Sequence, residues 1–88
     1  QSVQFFIFSK EYDKIATRIN EEIHRGATIL EGTGWYSKQP VKVVTVIARK
    51  NESQRIFRIV KEVDPDAFVS QSSVIAVYGK GFDVMKTK

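Results

Sequence analysis

Gly32 and Gly34 stand one residue apart in the stretch EGTGWYSKQP, followed by Trp35, the only tryptophan in the chain, then by Tyr36, Lys38 and, two residues past Pro40, Lys42. Residues of these types can hold a small anionic ligand. Glycines let the backbone approach closely, flat rings stack on another ring, and ammonium groups meet phosphate. A second glycine pair, in Gly79-Lys80-Gly81-Phe82, repeats the pattern near the end of the chain. The same hairpin residues also have a structural reading, in which Gly32 makes a bulge, Gly34 a bend, and Trp35 fills the core or an interface.

A third set of residues carries charge rather than shape. Arg49, Lys50, Arg55, Arg58 and Lys61 fall close together, and spacings of three and four put the last three on one helical face. They make either a solvated helix face or a patch for phosphates and anionic headgroups at a membrane surface, and the patch would weaken as salt rises.

No set of residues suggests catalysis. With zero cysteines, disulfides, thiolate chemistry and sulfur-ligated zinc are excluded. The single histidine, His24, cannot build a metal centre alone and suits the last turn of a helix, where a cation is favoured. Asp64 and Asp66 flank a proline and read as turn formers, not as an acid and base couple. No nucleophile, base and orienting group can be assembled, so the chain is expected to be no enzyme and to carry no cofactor or metal.

The elements that must position these residues follow from periodicity. The run SVQFFIFS, residues 2–9, is aromatic and β-branched and reads as a buried strand. A helix follows, with Ser9 as its cap, Glu11 and Asp13 in its first turn, Tyr12, Ile15, Ile19 and Ile23 as its apolar stripe, and Gly26 at its left-handed end. ATILEGTGWYS, residues 27–37, and PVKVVTVIAR, residues 40–49, read as an antiparallel hairpin. Asn51, with Gln54 three residues later, suggests a capping box before a second helix whose buried stripe is Ile56, Phe57, Ile59, Val60 and Val63. A last strand is expected over residues 67–79, ahead of the lysine-rich tail DVMKTK.

Strand, helix, strand, strand, helix, strand is the α+β ferredoxin-like βαββαβ plan, a sandwich with two helices on one face of a four-stranded antiparallel sheet of order 4-1-3-2. One such domain accounts for residues 1–88, of which 42% are hydrophobic and 27% charged. Runs such as FFIF and VVTVIA are far shorter than a membrane span, so the piece itself is expected to be soluble. Its start at Gln1, inside a strand pattern, suggests a domain excised from something larger.

The other sheet face has no cover of its own. Phe6, Phe8, Val44 and Val46, or their alternating neighbours, lie there, and an apolar open face predicts a ligand, a nucleic acid or a second copy. RNA-recognition domains share this plan but stack bases on aromatics of strands one and three. Here VKVVTVIAR has no aromatic residue and the net charge is only +4, so no nucleic-acid partner is expected.

Three blocks together carry a family resemblance: RGATILEGTGWYS after the first helix, VVTVIARKNESQRIFRIVKEVDPDAFV, and the closing YGKGF. With Asp64 to Phe68 and Gly79 to Phe82 in that order, the chain resembles, nearly end to end, the small C-terminal domain of unknown function of YitT-type bacterial membrane proteins. The resemblance implies a ferredoxin-like domain of the PII-like or ACT-like kind, attached to several membrane-spanning helices and lying on the cytoplasmic side of the cell membrane. In PII-like proteins the hairpin between strands two and three carries a signalling loop, and nucleotides bind between the subunits of a trimer. By that resemblance Gly32 to Lys42 and Gly79 to Phe82 are the ligand-binding positions, although SKQP is much shorter than a full signalling loop.

The expectation is therefore a regulatory domain that forms a homo-oligomer, a dimer or a trimer, through its open sheet face. It would modulate an attached transmembrane domain in response to a small anionic metabolite. A purely structural oligomerisation module is the alternative.

Overall fold

The structure, a computed structural model, describes residues 1–79 of the 88-residue chain. Strand β1 (Ser2–Phe8) leads to helix α1 (Tyr12–Ile23), then to β2 (Ala27–Thr33) and β3 (Pro40–Arg49). A 3-10 turn over Lys50–Glu52 runs into helix α2 (Ser53–Val63), and β4 (Phe68–Val74) completes the sheet. The sheet order is β2-β3-β1-β4, with every neighbouring pair antiparallel, so the fold is the ferredoxin-like βαββαβ sandwich the sequence predicts.

Alternation along the two inner strands sets the faces. Val3, Phe5 and Ile7 of β1 and Val44, Val46 and Ala48 of β3 are buried beneath Ile15, Ile19 and Ile23 of α1 and Ile56, Ile59 and Val60 of α2. This corrects the expectation for Val44 and Val46. Because Phe6 stands opposite Thr45 and Phe8 opposite Val43, their alternating neighbours Val43, Thr45 and Ile47 share the open face with the two phenylalanines. Phe57, expected in the buried stripe, is 37% exposed and meets Phe5 edge-on, with ring centroids 5.5 Å apart.

Several element ends also differ from expectation. Helix α1 ends on His24, which takes the left-handed conformation at φ 64° and donates its N–H to the Asn20 carbonyl; Gly26 does not play that part. Ser9 makes no helix cap. Its hydroxyl accepts the Glu11 N–H at 2.9 Å and donates to the Asp64 carboxylate at 2.5 Å, tying the start of α1 to the end of α2. At α2 the Asn51 cap gives way to the 3-10 turn, where the Glu52 carboxylate accepts the Arg49 N–H at 2.9 Å. Strand β2 stops at Thr33 and β4 at Val74, short of the expected 37 and 79.

Arg25 closes on Glu52 from the neighbouring loop at 3.0 Å, with both side chains largely covered. Burial alone pushes the Glu52 carboxyl up, but the Arg25 guanidinium and the Arg49 N–H more than offset this and hold it below the ordinary carboxylate range. Across the helix layer Arg18 meets Glu22 at 2.6 Å and Glu62 at 2.9 Å, which joins α1 to α2 and holds the Glu22 carboxyl low.

Candidate functional site

The β2–β3 connection is a built turn. Gly34 donates its N–H to the Gln39 carbonyl at 2.8 Å, Lys38 returns its own to the Gly34 carbonyl at 2.9 Å, and Gln39 donates to the Ser37 hydroxyl at 3.2 Å. A Cβ on Gly34 would lie 2.6 Å from the Ser37 hydroxyl, so a residue without a side chain lets the turn close. Gly32, by contrast, sits in the regular ladder opposite Val41 and makes no bulge.

This turn holds Trp35 and Tyr36 out in solvent, 82% and 91% exposed, which removes the core reading of Trp35. Lys38 lies over the indole, its Nζ 4.7 Å from the ring centroid. Lys42 points to the helix side of β3, where it meets Glu31 of β2 at 3.1 Å and approaches the Tyr12 ring at 5.5 Å. The Glu31 carboxylate, which stands directly across the ladder, raises the Lys42 pKa. Of the two lysines expected to serve a phosphate, Lys42 is therefore paired within the chain, while Lys38 lies on an exposed ring and keeps its charge open to an anion.

Beside the hairpin base lies a cleft of about 660 Å³, lined by Phe8, Tyr12, Pro40, Val41, Lys42 and the Ser9-Lys10-Glu11 corner together with Asp64 and Asp66. The Asp64 carboxylate accepts both the Ser9 hydroxyl and the Asp66 N–H, so the pair does form a turn, as read from sequence. What the sequence did not show is that this turn lies next to the hairpin.

The open face carries the third feature. Register places Leu30 of β2, Val43 of β3, Phe8 of β1 and Phe68 of β4 in one line across all four strands, and every member is apolar. Leu30 is 42% exposed and Phe68 65%, with the Phe8 and Phe68 rings in contact at 5.6 Å. The next line, Thr28, Thr45, Phe6 and Ser70, is mostly polar. The apolar surface thus gathers at the hairpin end of the sheet.

The remaining candidates lie elsewhere. Strand β4 ends opposite Ser2, and Val77 shares a groove with Gln1 and Arg49, so the chain leading to Gly79 runs at the end away from the hairpin. Gly79 has φ 135°, a conformation that favours glycine. Lys80, Gly81 and Phe82 lie outside the described residues. Arg55, Arg58 and Lys61 are exposed along α2, with Arg55 donating to the Glu22 carbonyl at 2.6 Å. Arg49 and Lys50 sit at the far end of β3. Among the described residues, no group of histidine and carboxylate side chains could hold a metal, and no helix is long and apolar enough to cross a membrane.

A βαββαβ domain whose second sheet face, partly apolar, has no cover among the described residues is the class that fold and surface define. Residues 25–79 match the profile of DUF2179, described as an uncharacterized protein conserved in bacteria, and the chain belongs to that family. The membrane protein YpjC of Bacillus subtilis, of the UPF0750 group, is 39% identical over 93% of this chain but only 28% of its own length. An uncharacterized protein from Bacillus sp. strain PS3 is 32% identical over 86% of this chain and 51% of its own length. The chain thus spans roughly a quarter to a half of the relatives it matches. A DUF2179 crystal structure from Eubacterium ventriosum superposes with a TM-score of 0.73 at 33% identity, covering 82% of this chain and 99% of that one. A functionally unknown protein from Pediococcus pentosaceus shares the fold, with a TM-score of 0.70 at 13% identity over 89% of this chain and 95% of that one.

Proposed function

We propose that this domain is a non-enzymatic module on the cytoplasmic side of a bacterial membrane, which self-associates through its open sheet face and so regulates the membrane protein to which it is attached. The observation that carries the reading is the apolar line Leu30–Val43–Phe8–Phe68, left uncovered by both helices. A small domain that leaves such a face to water at its most aromatic end has an interaction surface there. Attachment is supported by the relatives, several of which are called membrane proteins and are more than three times the length matched. The non-enzymatic part is supported by the lack of cysteine in the chain and of any metal-holding group among the described residues.

Assembly without a ligand is the form the geometry favours, because Lys42, one of the two lysines expected to serve a phosphate, is paired with Glu31. Sedimentation of the chain from micromolar to near-millimolar concentration tests the reading. A dimer or trimer that grows in with concentration is expected, and a strict monomer throughout would overturn it. A melting panel of anionic metabolites tests sensing separately, since a ligand at a hundred times its dissociation constant stabilises by about 2.7 kcal/mol.

A further inference from the structure

We propose that on self-association the hairpin tip of one copy, Trp35 and Tyr36 with Lys38, seats in the cleft of a second copy, bringing Lys38 against Asp66. This rests on the self-association reading and specifies how it is achieved. Four observations converge on it.

The tip is held by the Gly34–Gln39 and Lys38–Gly34 hydrogen bonds, so two large rings are presented with little backbone freedom left to lose. Such rings bury roughly 150–250 Å² each when covered. Their exposures of 82% and 91% show that the chain's own cleft does not receive them. Since a stable interface takes on the order of 800 Å² from each partner, the tip would supply a third or more and the open face the rest.

The cleft has the matching shape. Its volume of about 660 Å³ has room for aromatic side chains, and its walls include the rings of Phe8 and Tyr12. Phe8 also belongs to the apolar line, so cleft and open face form one continuous surface.

The charges match as well. Glu11, Asp64 and Asp66 line the cleft with Lys10 and Lys42; Glu11 is already paired with Lys14 and Lys42 with Glu31 of the same chain, which leaves Asp64 and Asp66 against Lys10. The cleft is left with a surplus of negative charge, and the tip carries a positive one. No salt bridge ties Asp64 or Asp66 to a cation among the described residues.

Because Trp35 is the only tryptophan, its fluorescence reads this contact directly in the unmodified chain. The emission is expected to shift to the blue as concentration rises, with the midpoint that sedimentation gives for association. Lys38→Glu and Asp66→Lys, both on exposed turns, should each weaken association by about fivefold to tenfold, and the double variant should restore it to within about twofold. Association with unmoved Trp35 emission, or without rescue in the double variant, overturns the seating and leaves self-association standing. No association at any concentration removes both. A blue shift of the monomer on phosphatidylglycerol vesicles, with no assembly, would also overturn the seating and make the tip a membrane contact.

Discussion

Phe68→Ser tests whether the open face is the association surface. A buried phenylalanine covers roughly 150–250 Å², and Phe68 is 65% exposed, so roughly 100–160 Å² of it remains for a partner to cover. At about 25 cal/mol per Å² the ceiling is ~2.5–4 kcal/mol, and interface truncations usually fall below such ceilings. An expected loss of about 2 kcal/mol corresponds to an association constant weaker by roughly thirtyfold. The part of the ring already packed on Phe8 supports the monomer, and losing it costs about 1–2 kcal/mol, or roughly 5–10 °C in the melt of a dilute sample. Sedimentation well below the melting temperature separates the two effects. Gln71→Ala, on the helix-side face of the same strand, is the control and should leave association unchanged. If Phe68→Ser lowers the melting temperature as calculated but leaves assembly at wild-type strength, the open face is not the interface.

Three further outcomes can be checked by melting. Glu52→Gln should lose about 2 kcal/mol near neutral pH. Because the folded Glu52 carboxyl is held below its unfolded value near 4.3, that stability is present above this value and disappears as pH falls through the folded pKa. The gap between wild type and variant should therefore close in acid, and a gap constant with pH would refute the assignment. Trp35→Ala should change monomer stability by less than about 1 kcal/mol, against the ~3–5 expected of a core aromatic, and a large loss would mean that the indole is buried. Ser53→Ala should leave stability unchanged or raise it slightly, because its buried hydroxyl has no hydrogen-bond partner among the described residues. A clear loss would show that the hydroxyl is satisfied.

Element types and sheet order were legible because the apolar periods of the two helices and the strand-like runs between them leave one short-connection topology. Faces were not. FFIF and VKVVTVIAR place apolar residues on both sides of the sheet, so alternation alone could not choose between Val43 and Val44. One signal was missed, Glu31 with Lys42, an opposite-charge pair on facing strands of one hairpin, which gives register but not face because it lies on the helix side with Val44. Counting back from it would have set the register and shown Lys42 to be engaged. The helix end was misplaced because a left-handed histidine is disfavoured by only about 1–2 kcal/mol, which local hydrogen bonding and packing can offset. The cleft was hidden for a different reason. Its walls come from residues 8–12 and 40–42 together with Asp64 and Asp66, which no local pattern joins.

Strand β1 precedes the other described elements yet lies in the interior of the sheet, between β3 and β4. During synthesis its two edges therefore wait for partners that arrive late, the second only when Phe68–Val74 has been made. Until then FFIF is an uncharged strand with a bare edge, open to the same segment of a neighbouring nascent chain. Strand β4 thus acts as a lock on β1. A nonsense change ahead of Phe68 should yield an aggregating fragment rather than a smaller working domain.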